Sequence, residues 1–349
     1  MDKTIFKRLA MLGIVVLLSA GVCVAVRADD NEHRPENRYI LASMSASRED
    51  THSYPMRSRM EKPTEQPDYA DVPYGPHERN RLDIWLAGNE ASTPLVVYFH
   101  PGGFRWGDKR SIRQTLLSSL LSAGISVAAV NYRLSNTAPY PAQMRDAARA
   151  VQFLRYYAAR YNIDPTRIGA TGVSAGGGIS LWLAFHDDMA DPVSEDPIAR
   201  LSTRISAAVV YETQTTYDPR TIMELFNTTR IDEALIPFFG MHTAADVNDP
   251  KYHPLFFDAS AINHLTSDDV PVMLYYSQAD KPLKANTPGK VHIHHPRFGH
   301  LLKEKMDGLG ITCVLKLQED YRNSPGNIIT DSVNFFVDAF HKKNHPQQE

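Results

Sequence analysis

Ser174 stands in Gly172-Val173-Ser174-Ala175-Gly176, within the run IGATGVSAGGGISLWLAF, where glycines and alanines crowd the chain just before a helical pattern. Glycine clusters mark places where the backbone turns sharply or is approached closely. The pentapeptide has the form G-x-S-x-G and lies between a strand-like run and a helix-like run. A serine at the tip of such a turn stands exposed at the carboxyl edge of a sheet. Its Oγ lies near a helix N-terminus, whose partial positive charge favours developing negative charge. That is the setting of a nucleophile; the plainer reading is a glycine-rich turn carrying an incidental serine.

A nucleophile that attacks a carbonyl needs donors for the oxyanion. His100-Pro101-Gly102-Gly103-Phe104 follows the strand-like PLVVYFH and occupies the place of an HGGG-type oxyanion loop. Proline has no N–H to give, so the expected donors are the backbone N–H groups of Gly102, Gly103 and Ala175, with His100 bracing the loop. Each such donor contributes about 3 kcal/mol to a transition state.

These residues need a scaffold that brings them to one edge. Strand-like runs occur at residues 81–86, 94–100, 125–132, 167–173, 205–211, 270–276 and 311–317, with helical patterns at 111–123 and 143–161 and after most later strands. This alternation predicts an α/β fold, a mostly parallel sheet of about eight strands flanked by helices. Residues 212–269 lie between two core strands and read either as a cap over the site or as an ordinary crossover with a long loop.

The chain has 349 residues, 43% hydrophobic and 22% charged, enough to bury a large core. A formal net charge of -3 and the lack of basic tracts interleaved with aromatics argue against nucleic acid as a partner. No zinc-ligand spacing and no phosphate-cradling loop occurs, so neither metal nor cofactor is expected. Lys3, Lys7 and Arg8 precede an uncharged run from Leu9 to Val26, and Val26-Arg27-Ala28 suits a signal peptidase. Residues 1–28 therefore read as a signal peptide removed after Ala28, with export to a periplasmic or extracellular location; an uncleaved anchor is the rival reading. Removal leaves Cys313 as the one cysteine, a buried core thiol by its apolar setting. Residues 29–67 form a polar linker, 68–343 the folded domain and 344–349 a tail.

HPGGFRWGDK, VNYRLS, YPAQMRDAARAVQFLR and DPTRIGATGVSAGG, in that order and spacing, resemble the secreted carboxylesterases of the α/β-hydrolase superfamily, feruloyl- and acetyl-esterase-like proteins among them. The resemblance implies hydrolysis of a carboxylic ester through an acyl-enzyme, with a small-molecule or polysaccharide ester as partner. It also implies an acid after the strand VPVMLYYS, where Asp280 stands; Asp269, before that strand, is a weaker rival. The chain departs from the pattern where the general base should be. The segment after the last strand, QEDYRNSPGN, holds no histidine. Val291-His292-Ile293-His294-His295-Pro296, ahead of a helical pattern, offers His294 and His295 instead, while His300 falls one turn into that helix. Either one of this pair is the base, or the chain is a catalytically impaired hydrolase fold serving as a carbohydrate-binding module.

Overall fold

The computed structural model describes residues 16–19, 22–25, 63–88, 91–284, 287–322 and 326–342. The chain divides into two units, residues 1–53 and 54–349. In the first, β1 (Val16–Ser19) and β2 (Val22–Ala25) pair antiparallel, with Val16 opposite Ala25. These strands lie within the run read as an export signal; the rest of that segment, and most of the polar linker, fall outside the described residues.

Among the described residues, the second unit is built on eight strands: β3 (Tyr69–Pro73), β4 (Arg81–Trp85), β5 (Thr93–Phe99), β6 (Ser126–Val130), β7 (Ile163–Val173), β8 (Ala208–Tyr211), β9 (Val272–Tyr276) and β10 (Cys313–Leu317). They lie in the order β10-β9-β8-β7-β5-β6-β4-β3. The pairs from β10 through β6 are parallel; β4 and β3 join antiparallel at one edge. Every residue of β6, β8 and β9 is buried, as a sheet covered on both faces requires. Helices α1 (Gln114–Ser122), α2 (Ala142–Tyr156), α3 (Ala175–Phe185), α4 (Pro219–Phe226), α5 (Leu235–Phe238), α6 (His253–Ala259), α7 (Gly289–His292), α8 (Arg297–Gly308) and α9 (Ile328–Lys342) flank the sheet.

The covering is two-sided. On one face Met144, Val151, Ile179, Leu183, Phe298 and Leu302, from α2, α3 and α8, pack on Leu95, Val97 and Leu274. On the other, Leu116, Leu117 and Leu120 of α1 and Phe336 and Phe340 of α9 pack on Val96, Val209 and Met273. Alternate residues of one strand thus feed opposite cores. The segment 212–269 contributes Phe226, Leu235, Phe238, Tyr252 and Phe256 to the first core, so its apolar residues are continuous with the main fold.

Candidate active site

The longest strand, β7, ends at Val173 and α3 begins at Ala175, leaving Ser174 alone in the turn with φ 54° and ψ -118°. A non-glycine residue in this region carries about 1–3 kcal/mol of strain, which the surroundings must hold. They do so by hydrogen bonds. The Ser174 N–H donates to the Tyr211 carbonyl at 2.9 Å, and the Ser174 carbonyl accepts from Gly178 N at 3.0 Å and Thr213 Oγ1 at 2.9 Å. The glycines around it are explained by close approach. A Cβ on Gly172 would come within 2.4 Å of the Gly176 carbonyl carbon, and one on Gly176 within 2.0 Å of the Phe99 carbonyl oxygen. The first turn of α3 is therefore pressed against the end of β5, from which the His100–Phe104 loop departs.

That loop is rigidly braced. His100 is fully buried and stacks on Tyr132 with ring centroids 4.1 Å apart. Its Nδ1 donates to the Pro101 carbonyl at 2.8 Å and its Nε2 accepts from Arg79 Nη2 at 3.2 Å, which fixes a neutral imidazole. Burial, reinforced by the Arg79 charge, lowers its pKa to about 4. Gly102 and Gly103 both have positive φ, and a Cβ on Gly102 would lie 2.0 Å from the Trp106 carbonyl oxygen. Phe104, next in the chain, stacks on Phe238 at 4.1 Å and meets the edge of Tyr217, so the segment after β8 clamps the turn from outside. Beyond it, Asp108 accepts from Asn131 Nδ2 at 3.0 Å, and buried Lys109 donates to Asp83 at 2.7 Å. Among the described residues, the N–H groups of Gly102 and Gly103 are committed to no backbone hydrogen bond, and that of Ala175 opens a helix, where it has no intrahelical acceptor.

The histidines separate cleanly. His294, in the turn between α7 and α8, places Nε2 3.0 Å from Ser174 Oγ. His295 turns the other way: its Nε2 donates to the Lys281 carbonyl at 2.9 Å, its Nδ1 accepts from Arg297 N at 3.1 Å, and its ring meets the edge of Phe226. With both nitrogens engaged, His295 holds the turn and does not reach the serine. Asp280 departs from the expectation built on resemblance. Its carboxylate accepts from His300 Nε2 at 2.7 Å, an exposed pair on the outside of α8, and is not brought to His294. Among the described residues no carboxylate hydrogen-bonds His294. Burial therefore acts unopposed and lowers its pKa to about 4. Asp269, the rival acid, is likewise engaged elsewhere, with Arg204 and the Thr266 N–H.

The structure adds a residue that sequence reasoning missed. Glu212 directly follows β8, is 4% exposed and has φ 51°. Its N–H donates to the Tyr275 carbonyl at 2.8 Å and its Oε1 accepts from Ser277 N at 2.6 Å, tying the ends of β8 and β9 beside the serine turn. Among the described residues its Oε2 is buried without a hydrogen-bond partner, and burial raises the carboxyl pKa to about 7. The available signal was a lone acid at the carboxyl end of the apolar run AAVVY.

A largely apolar cleft of about 290 Å³ reaches Pro101 and Val173, each next in sequence to a site residue, and is closed by Tyr98, Tyr211, Tyr275 and Ile328. It does not include Ser174 or His294.

A model of the BD-FAE family matches residues 82–288, more than half of the chain. Among curated proteins, the probable carboxylic ester hydrolase LipM of Mycobacterium tuberculosis is 28% identical over 223 residues, 61% of this chain and 49% of its own length. Esterase LipQ of the same organism is 29% identical over 218 residues, 60% of this chain and 48% of its own length. The chain spans about half the length of the curated relatives it matches. Among solved structures, the acetyl ester-xyloside bifunctional hydrolase from Caldicellulosiruptor lactoaceticus superposes with a TM-score of 0.58 at 21% identity, covering 80% of this chain and 95% of that one. A truncated carbohydrate esterase from gut microbiota gives 0.60 at 20% identity, covering 80% and 100%. Sheet order, serine turn and matched family model agree: the chain belongs to the BD-FAE family and has the α/β-hydrolase fold.

Proposed function

We propose that this protein is a serine hydrolase that cleaves a carboxylic ester through an acyl-enzyme. The observation that carries the reading is the 3.0 Å approach of His294 Nε2 to Ser174 Oγ at a strained strand-to-helix turn. In the reaction His294 takes the hydroxyl proton as Oγ attacks the ester carbonyl. The N–H groups of Gly102, Gly103 and Ala175 receive the oxyanion, and His294 returns the proton to the leaving alcohol; water then repeats the sequence on the acyl-enzyme. A fluorophosphonate probe is expected to label the wild-type chain on Ser174 and not the Ser174→Ala variant; persistent labelling would place the nucleophile elsewhere.

An acetylated or feruloylated oligosaccharide is the substrate class we propose, supported by the likeness in fold to an acetyl ester-xyloside hydrolase and a carbohydrate esterase. A panel of such esters beside simple aryl acetates and peptide amides tests it. The lack of a carboxylate on His294 among the described residues favours a second reading, a carbohydrate-binding module without turnover. Saccharide binding by a protein that the probe does not label would select it.

We also propose export, on the strength of the basic start and uncharged run at the N-terminus. Mass spectrometry of the natively exported chain is expected to find a terminus near Asp29; an intact Met1 in the membrane fraction would refute cleavage.

A further inference from the structure

At the far end of the serine-bearing helix α3, three side chains from distant parts of the sequence converge. His186 follows the last residue of α3, Asp258 lies in the last turn of α6, and His264 follows the short turn Ala261–Asn263. Each offers one ligand atom, and the three atoms lie within 4.8 Å of one another. The side chains are 20%, 45% and 15% exposed, so an ion can reach them. The two imidazole rings stand 4.6 Å apart, centroid to centroid.

The hydrogen bonds on His186 and Asp258 orient two of the three ligands for a cation. His186 Nδ1 lies 2.9 Å from the Asp187 carbonyl oxygen, an atom that can only accept, so Nδ1 carries the proton of the neutral ring. The Nε2 lone pair is then aimed at Asp258 Oδ1, 3.6 Å away. A lone pair and a carboxylate facing each other require a positive species between them, either a second proton on His186 or a metal ion. The rest of the cluster has the features of a ligand's outer support. Trp182 stacks on His186 at 3.9 Å and donates its indole N–H to the Asp258 carbonyl, and Tyr140 donates its hydroxyl to Asp258 Oδ2. His264 Nε2 donates to the Asp258 carbonyl oxygen at 2.8 Å and lies 4.0 Å from the Asp258 carboxylate, so to offer its lone pair to an ion the ring gives up that hydrogen bond and shifts its proton to Nδ1.

We propose that His186, Asp258 and His264 form a zinc site with a fourth position open to water. Two imidazoles and one carboxylate suit zinc better than magnesium or calcium, which prefer all-oxygen shells. Tetrahedral ligands about 2.0–2.2 Å from zinc are roughly 3.4 Å apart, so the three atoms close inward by about 1 Å or less. The ion would join the end of α3 to the segment between β8 and β9. That segment holds the Phe238 contact on the oxyanion loop, so the site is a fastening at a distance from the serine. It does not depend on the esterase reading.

The test uses the full chain, stripped with a chelator and titrated with Zn²⁺ by calorimetry and by competition with a chromophoric chelator. One equivalent is expected to bind and to raise the melting temperature, with Mg²⁺ and Ca²⁺ inert. His186→Ala and His264→Ala should each weaken this binding at least about 100-fold, and His294→Ala should leave it intact. Because Asp258 also holds Tyr140, the variant there is Asp258→Asn, which keeps an acceptor for the tyrosine and should still lose zinc. Failure to bind zinc would identify the cluster as a plain imidazolium-carboxylate pair and overturn the proposal. So would binding lost in His294→Ala and unchanged in His186→Ala, which would move the ion to the His292–His300 group.

Discussion

Replacing His294 by alanine is expected to lower kcat on an activated aryl ester by about 10³- to 10⁶-fold while leaving the circular dichroism spectrum unchanged. A serine hydroxyl is a poor nucleophile without a base, and His294 is the imidazole that the structure places on Ser174 Oγ. Asp280→Asn supplies the matched control. Its carboxylate serves His300 on the outside of α8, so kcat should stay within a few-fold of wild type. A large loss in Asp280→Asn with little in His294→Ala would reinstate the arrangement implied by resemblance alone. The acid limb of the pH profile gives an independent reading. Burial holds the His294 pKa near 4, so the base remains neutral through the weakly acidic range. The rate should fall only as pH drops through about 4, where the ring takes up a proton. A limb near the ordinary histidine value of about 6.5 would mean that His294 is solvated or paired with a carboxylate in solution.

Ser174 is legible in the sequence because its geometry is enforced by what is missing around it. Positions 172 and 176 have no room for a Cβ, so glycine must appear there and the spacing survives as a motif. The parallel sheet is legible for a related reason: buried strands such as β8 and β9 are unbroken apolar runs. The proposed base is legible only as a pair. His294 and His295 sit in an irregular turn between two helices, where no period says which ring faces the sheet edge; the engagement of His295 with Lys281 and Arg297 decides it, and those partners are invisible in a linear reading. Asp280 is singled out by its position after β9, but position along a loop does not fix direction, and His300 one turn into α8 captures it. Edge strand β3 escapes a reading of apolar runs because pairing with β4 makes it a strand: two of its five residues are only partly buried and the rest are exposed. Glu212 escapes it because a buried acid contradicts the pattern by which strands are recognised.

That contradiction yields the second large expected effect. Glu212→Gln should leave stability unchanged near pH 4 and raise it by about 3 kcal/mol near pH 8, measured by chemical denaturation at each pH. In the unfolded chain the carboxyl titrates at its ordinary value of 4.5, and in the folded protein at about 7. The principal cause is burial, opposed in part by the Ser277 N–H and the charge of Arg113. A folded pKa that is raised means the native state holds the proton longer than the unfolded state does. The associated stability is fully present below about pH 4.5, declines as pH rises and is lost above about 7; each tenfold difference in proton affinity between the two states corresponds to about 1.4 kcal/mol. Glutamine reproduces the protonated form: its carbonyl still accepts from Ser277 N, and it carries no charge to desolvate. The unpartnered Oε2 is what makes the comparison informative. If the glutamine variant were the less stable protein at pH 8, Glu212 would have to be ionised in the native state with a positive partner on Oε2. Parallel stability curves would show that the carboxyl titrates alike in both states and that burial at the end of β8 does not govern it.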